Sequence, residues 1–74
     1  MYAIVYNLRE TIQRTGFSGE TITIEQGHIL GYTDFPDQDW LQEKIQAGEV
    51  LLIEVDTYKD GYKYDVQNRE FVKL

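Results

Sequence analysis

The residues of this chain that could do chemistry are mostly carboxylates, and they crowd into the middle of the sequence. Asp34, Asp37 and Asp39 are followed one helical turn later by Glu43. Closely spaced carboxylates are ligands for a hard cation such as Ca²⁺, but a calcium loop supplies about six to eight oxygens and has a glycine at its sharp turn. This segment instead contains Pro36 and has the pattern of a helix start. We therefore interpret these acids as capping and surface charges, with no metal site.

Other catalytic patterns are weak. His28 is the only histidine and there is no cysteine, so no multi-histidine or Cys-His site can form, and no nucleophile or orienting acid is visible beside His28. Acid–base catalysis by paired carboxylates needs two of them in different environments inside a cleft, which a domain this small seldom encloses. Phosphate-binding and HExxH motifs do not occur. We expect a protein that is not an enzyme and binds no cofactor, with His28 in an ordinary turn or strand.

Charge is distributed unevenly along the chain. The formal net charge is −6; residues 15–43 contain six acids and no base, and the segments on either side nearly cancel. Like charges held together create a field that reaches about a Debye length, roughly 8 Å at physiological salt, so this block favours a protein partner with a basic surface. The same acidity disfavours direct nucleic-acid binding, which needs clustered Lys and Arg to contact phosphates.

Aromatic residues supply further candidate contacts. Tyr2, Tyr6, Tyr62 and Tyr64 have the alternating spacing of strands, so we expect them at the edge of the core. Aromatic residues in predicted turns either close the end of a small sheet or act as exposed anchors for a partner, and both roles remain open. The predicted partner-binding set combines the acids with these turn aromatics: Glu20, Glu25, Asp34, Asp37, Asp39 and Glu43, with Phe17, Tyr32, Phe35 and Tyr58.

Alternating apolar and polar residues predict strands over most of the chain. Residues 2–8 and 21–25 both alternate with period two, and the glycine-rich residues 15–19 between them predict a turn. We expect the two segments to pair as a hairpin, whose first arm residues 9–14 could extend. Residues 28–32 fit either a short strand or a bend.

One helix is expected, over residues 36–47. An acidic cap and a proline suited to the first turn precede it, and Gly48 provides a left-handed stop. Leu41 and Ile45 lie four residues apart, with Trp40 beside them. A narrow apolar stripe should therefore face a sheet.

Three strands are predicted after the helix, over residues 49–56, 61–66 and 70–74. An Asp-Gly turn separates the first two and a weaker turn separates the last two. We expect a single domain, residues 1–74, of the α+β class. Its small antiparallel sheet would consist of the N-terminal hairpin plus the C-terminal three-stranded meander, covered on one face by the single central helix. Four residues are expected to be buried together: Ile4, Leu41, Ile45 and Ile53.

Composition also limits where the protein works. The lack of cysteine excludes disulfides and thiolate metal sites and fits a reducing compartment. No apolar run approaches the roughly 18 residues of a membrane helix, and the first residues lack the pattern of a signal peptide. We expect a cytoplasmic protein with no membrane association.

Two functions fit these features. The first is a small acidic protein-binding module. In size and charge alone the chain resembles compact bacteriophage proteins that inhibit host defence nucleases such as CRISPR effectors, which implies occupation of a basic, nucleic-acid-binding groove. The second is a structural or assembly subunit that docks through a sheet edge or helix face, with residues 71–74 as a candidate edge. Monomer and homodimer both remain open. Binding that weakens strongly with salt would favour the first function.

Overall fold

The computed structural model describes all residues, 1–74, and contains seven strands and one helix. The elements are β1 (Tyr2–Tyr6), β2 (Ile12–Thr15), β3 (Thr21–Ile24), β4 (Ile29–Thr33), α1 (Asp39–Gln46), β5 (Val50–Glu54), β6 (Tyr62–Asp65) and β7 (Glu70–Lys73). A three-stranded antiparallel sheet has the order β4-β1-β5, and β2–β3 and β6–β7 form two separate antiparallel ribbons. The predicted α+β class, with small antiparallel sheets and one helix, is confirmed.

Strand β1 lies at the centre of the sheet because it is apolar on both faces. Ala3 and Val5 point to one face and Ile4 to the other, and all three are buried. Only a strand with neighbours on both edges and cover on both faces can bury such a sequence. Strands β4 and β5 supply the neighbours.

The helix covers one face of the sheet, as expected. Leu41 is fully buried and packs in one cluster with Ile4 of β1 and Val50 of β5. Ile45 and Leu52 are partly buried against this cluster. The apolar stripe of the helix therefore docks on β1 and β5.

The opposite face of the sheet is covered by the β6–β7 ribbon. Ala3 and Val5 form a second cluster with Val55 and Tyr64, and the Tyr64 ring lies 5.1 Å from that of Phe71, edge to face. The core thus has three layers: helix, sheet and ribbon.

The expected burial of Ile53 with Leu41 is wrong. Ile53 packs against the ribbon-side cluster, and its neighbour Leu52 packs on the helix side. Successive residues of a strand point to opposite faces, so the choice between Leu52 and Ile53 depends on the register of β5 against β1.

Gly27 joins the sheet to the ribbon. Its N–H donates to the carbonyl of Tyr6 and its carbonyl accepts from the N–H of Tyr64, both at 2.8 Å. Its φ of +97° lies in the left-handed region, and a Cβ there would collide with the carbonyl oxygen of Tyr64. No other residue type fits this junction without distortion.

The predicted N-terminal hairpin forms around the expected turn, but its first arm is the extension predicted at residues 9–14 and not residues 2–8. Strand β3 pairs with β2, the segment directly before the glycine-rich turn, and not with β1. Pairing with the nearer segment closes a shorter loop at a smaller entropic cost. Residues 28–32, left open by the sequence, contribute β4, which takes the place beside β1.

The predicted C-terminal meander is wrong in its first pairing and right in its second. Strand β5 pairs with β1 instead of β6, whereas β6 and β7 form the expected hairpin. The Asp-Gly segment does turn the chain, with the Tyr62 N–H bonded to the Lys59 carbonyl at 3.1 Å, but it connects strands of different sheets. The apolar sequence of β5 is buried better beside β1 than in a two-stranded ribbon.

Helix α1 begins later than predicted, at Asp39, and stops where predicted. Gln38 occupies the N-cap in an extended conformation without a side-chain capping bond. At the other end Gly48 has φ +75° and donates to the Ile45 carbonyl, while the Glu49 N–H donates to the Lys44 carbonyl. These two bonds are a Schellman motif, which depends on a residue that tolerates positive φ.

With eight residues and a largely polar surface, α1 is neither long nor apolar enough to cross a membrane.

Candidate protein-interaction surface

The loop between β4 and α1 is held in shape by its own side chains. The Phe35 N–H donates to Thr33 Oγ1 at 3.0 Å, and Gln38 Nε2 donates to the Phe35 carbonyl at 2.9 Å and to Thr33 Oγ1 at 3.2 Å. Gln42 Nε2, on the helix, donates to the Pro36 carbonyl at 2.6 Å. Hydroxyl and amide side chains often replace backbone partners in this way where a chain turns. The loop backbone is therefore fixed although it lies on the surface.

This loop and the first turn of the helix present two large aromatic side chains to solvent. Phe35 is 71% exposed and Trp40 is 50% exposed. Trp40 Nε1 donates to Gln38 Oε1 at 3.0 Å, so the same glutamine holds the Trp40 ring and the backbone of Phe35. Aromatic side chains on a rigid support lose little conformational entropy on binding and are frequent hot spots of protein interfaces.

The same segment carries four exposed carboxylates, those of Asp34, Asp37, Asp39 and Glu43. Asp39 lies in the first turn of α1, where the helix dipole favours negative charge. Asp34 lies 3.6 Å from the amino group of Met1, which is the only ion pair in this set. With the Asp34 side chain 74% exposed, that pair adds little stability. We call this surface the acidic end: Asp34, Phe35, Asp37, Asp39, Trp40 and Glu43.

Trp40 is the member of the acidic end that the predicted set lacks. The sequence pattern placed it beside the apolar stripe of the helix, but Leu41 is the only fully buried helix residue. Adjacent helix residues are rotated by about 100° from one another, so a side chain next to Leu41 leaves the buried stripe. That angular offset from Leu41 and Ile45 is the sequence signal that identifies Trp40 as a surface residue.

Of the other two acids in the predicted set, Glu25 lies at the opposite end of the sheet, and Glu20 lies in the turn of the β2–β3 ribbon. Glu20 and Glu25 are both exposed, immediately before and after β3. Strand β1 starts beside the acidic end, where Met1 contacts Asp34. The residue after its other end, Asn7, lies near the C-terminus of the helix, because its side-chain amide donates to the Gly48 carbonyl at 3.2 Å. The β2–β3 ribbon leaves the sheet at this second end. The acidic block of the sequence is therefore divided between two ends of the fold.

The predicted turn aromatics also separate. Phe17 is fully exposed at the tip of the β2–β3 ribbon. Tyr32 packs edge to face on Tyr58 with ring centroids 4.8 Å apart, and its hydroxyl accepts the Lys59 N–H at 2.7 Å. Tyr32 thus closes one side of the sheet, while Phe17, Phe35 and the outer part of Tyr58 remain in solvent.

An open groove of about 530 Å³ lies between β4 and β6. Lys59, Lys63, Glu25 and Asp60 give it mixed charge, and His28 lines it as a half-buried residue whose ring makes no hydrogen bond. Nowhere in the chain do three or more His, Asp or Glu side chains come together in a way that could hold a metal ion.

The acidic end is the surface that combines rigid support, exposed aromatic area and concentrated charge. No protein-family model, curated protein or solved structure matches this chain.

Proposed function

We propose that this protein is a small non-enzymatic binding module that docks its acidic end onto a basic surface of a partner protein. The observation that supports this most directly is the exposure of Phe35, on the loop, and Trp40, in the first turn of α1. Both are held by Gln38 within a segment that carries four exposed carboxylates.

The aromatic side chains and the carboxylates would contribute differently to binding at such an interface. Burial of Phe35 and Trp40 in a partner's pocket would supply affinity and slow dissociation. The carboxylates would steer the encounter and raise the association rate, an effect that depends on ionic strength. In a small fold, a row of like charges costs stability. The helix dipole offsets that cost near Asp39 and the Met1 amino group offsets it at Asp34, but Asp37 and Glu43 have no basic partner. A basic partner would remove this repulsion between the carboxylates.

The class of partner that fits best is a protein whose basic groove normally holds nucleic acid. Exposed carboxylates in a short rigid segment can take the place of phosphates in such a groove and block it. We therefore propose an inhibitor of the phage type, working in the cytoplasm against a host enzyme such as a defence nuclease. The net charge of −6 agrees with docking to a basic protein and with no direct contact to nucleic acid.

The test compares two charge-matched variants. Asp39→Lys with Glu43→Lys reverses the acidic end, and Glu20→Lys with Glu25→Lys makes the same charge change at the other end of the molecule. The partner is captured from host lysate with wild-type protein and identified by mass spectrometry, and its association kinetics are measured at about 50 and 500 mM NaCl. We expect the first variant to associate about tenfold more slowly at low salt, with the difference shrinking at high salt. Equal association rates for the two variants at low salt would contradict the proposal.

A second pair of variants tests the aromatic contacts. Phe35→Ala and Trp40→Ala should each raise the dissociation rate by about tenfold or more and leave the association rate nearly unchanged. Tyr58→Ala, which removes an exposed aromatic residue outside the acidic end, is the control. If only Tyr58→Ala raises the dissociation rate, the acidic end is not the binding surface.

The β2–β3 ribbon favours a second candidate function, assembly into a larger complex. Ile24 is its only buried residue, and Phe17 is fully exposed at its tip. A two-stranded ribbon is marginally stable in water, so a partner that covers it would stabilise both fold and complex. Loss of partner capture in Phe17→Ala, with capture retained in the Asp39→Lys, Glu43→Lys variant, would support this alternative.

A further inference from the structure

The side-chain amide of Gln38 makes hydrogen bonds at both of its ends. Its Nε2 donates to the Phe35 carbonyl at 2.9 Å and to Thr33 Oγ1 at 3.2 Å, and its Oε1 accepts from Trp40 Nε1 at 3.0 Å. An amide turned by 180° would bring its oxygen to the Phe35 carbonyl and its NH₂ group to the indole N–H, and neither contact is a hydrogen bond. A single orientation of this amide therefore satisfies Phe35 and Trp40 together.

The backbone of Gln38 is fixed independently of its side chain. Its carbonyl accepts from the Leu41 N–H at 3.1 Å and from the Gln42 N–H at 2.9 Å, the first backbone bonds of the helix. Leu41 is fully buried in the cluster that joins α1 to the sheet. The position from which the Gln38 side chain extends is therefore tied to the core.

Trp40 has little else to hold its ring. The side chain is half exposed and belongs to neither apolar cluster of the core. An exposed side chain without packing contacts exchanges among staggered rotamers. The bond from the indole N–H to Gln38 is therefore the interaction that favours one orientation of the ring.

We propose that Gln38 is the positioning residue of the acidic end: its amide couples the orientation of the Trp40 ring to the backbone conformation at Phe35, so that both aromatic side chains meet a partner as one preorganised unit. This inference rests on the proposed function and deepens it. Gln38 is half-buried and uncharged, and its role requires no contact with the partner.

Preorganisation acts on affinity through the fraction of molecules that are ready to bind. When only part of the population has the binding-competent conformation, the apparent Kd rises by the inverse of that fraction. Without the Gln38 amide, the Trp40 ring and the loop at Phe35 would move independently, and the competent fraction would be the product of two smaller fractions. We expect a loss of affinity of about tenfold.

Two substitutions of similar size separate the contacts of Gln38. Gln38→Met removes all three bonds. Gln38→Glu keeps an oxygen that accepts from the Trp40 indole, and the Thr33 hydroxyl can donate to the new carboxylate, but the donor to the Phe35 carbonyl is lost. The helix dipole favours a carboxylate at this end of α1, so Gln38→Glu should stay folded. Gln46→Met, on the exposed last turn of the helix, is the matched control for Gln38→Met.

The first test needs no partner and uses Trp40, the only tryptophan of the chain. Time-resolved fluorescence anisotropy measures rotation of the indole within the protein, and NMR relaxation measures the order of the Phe35 amide. We expect Gln38→Met to increase the amplitude of fast indole motion by about twofold or more, and Gln46→Met to match wild type. Thermal melts establish that each variant is folded. An indole as restricted in Gln38→Met as in wild type would overturn the proposal.

Gln38→Glu gives an independent measurement if Gln38→Met does not fold. The indole should remain as restricted as in wild type, because its acceptor is retained, while the Phe35 amide becomes more mobile. A Phe35 amide as ordered in this variant as in wild type would show that the Gln38 donor does not hold the loop, and would also overturn the proposal.

The second test measures the Kd for the partner protein identified by mass spectrometry. Gln38→Met should raise the Kd about tenfold in the otherwise wild-type chain, but by less than about threefold when Trp40→Ala is already present, because the ring that it positions is then missing. Gln46→Met should leave the Kd unchanged. An equal increase with and without Trp40→Ala would contradict a positioning role.

The outcomes separate this inference from the proposed function. If Phe35→Ala and Trp40→Ala both leave the Kd unchanged, the acidic end is not the binding surface and the proposed function is wrong. If these two variants weaken binding and Gln38→Met does not, the proposed function stands and the role assigned to Gln38 is wrong.

Discussion

At the scale of single residues, Gly27 has the strictest requirement in the fold. It is bonded on one side to Tyr6 and on the other to Tyr64, at a positive φ and with no room for a Cβ. We predict that Gly27→Ala lowers the free energy of unfolding by at least about 2 kcal/mol, because conformational strain adds to the collision with the Tyr64 carbonyl. Urea denaturation of wild type and variant, fitted with the same m-value, measures this difference in the free energy of unfolding.

Gly19→Ala is the matched control for Gly27→Ala. Gly19 has a similar φ of +82° in the ribbon turn but open space around its Cβ position. Gly19→Ala should therefore lower the free energy of unfolding only by the conformational cost of positive φ, about 1 kcal/mol. Equal losses in the two variants would show that Gly27 does not hold sheet and ribbon together.

Asp65 gives the stability a dependence on pH. Its carboxylate accepts bonds from the Asn68 N–H at 3.1 Å, the Asn68 side-chain amide at 2.8 Å and the Gln67 N–H at 3.0 Å. These bonds, that of the Asn68 N–H first, together with the nearby Lys63, hold the pKa of Asp65 below its usual 3.8. A depressed carboxyl pKa contributes stability above the unfolded-state pKa, and that contribution is lost as pH falls through the folded-state pKa.

We predict that Asp65→Asn destabilises the protein by a constant amount between about pH 5 and 7, and that the difference from wild type shrinks below about pH 4. Denaturation curves at several pH values measure the difference, and an NMR titration of the Asp65 carboxyl gives its pKa directly. A difference that is unchanged at pH 2.5 would rule out this carboxylate as the origin of the effect.

At the scale of elements, the helix is stabilised by docking more than by its own sequence. It has eight residues and no side-chain N-cap bond, which is too short for independent stability in water. We predict that Leu41→Ala costs about 2–4 kcal/mol, since Leu41 is fully buried between β1 and β5. In a small domain that loss should unfold much of the population.

Gln46→Ala, in the last turn of the same helix, controls for helix propensity because its side chain is exposed. It should change stability by less than about 0.5 kcal/mol. Thermal melts of both variants provide the comparison, and a Leu41→Ala melt close to that of Gln46→Ala would show that the helix does not dock as described.

At the scale of the whole molecule, the fold separates features that are neighbours in sequence. Glu25 and Asp34 are nine positions apart, yet they lie at opposite ends, because β4 spans the sheet between them. The acidic end and the ribbon tip with Phe17 are therefore two distinct surfaces.

Local features of the fold were determined by the sequence. Period-two alternation predicted strands over residues 2–8, 21–25 and 61–66, and the structure has strands within these ranges at 2–6, 21–24 and 62–65. The turn before Glu70 predicted the last hairpin, and Gly48 predicted the end of the helix. The exposure of the acids around the helix start also followed from their type. Each of these properties depends on backbone geometry and capping within a few residues, which the local sequence contains.

Only the tertiary structure decided which strands pair. The association of β1 with β5 joins segments more than 40 residues apart, and it alone sets the faces to which Leu52 and Ile53 point. Several strands have similar apolar patterns, so periodicity cannot rank their pairings. The pairing that forms is the one that buries both faces of β1. That burial depends on the whole folded chain and cannot be read from any single segment.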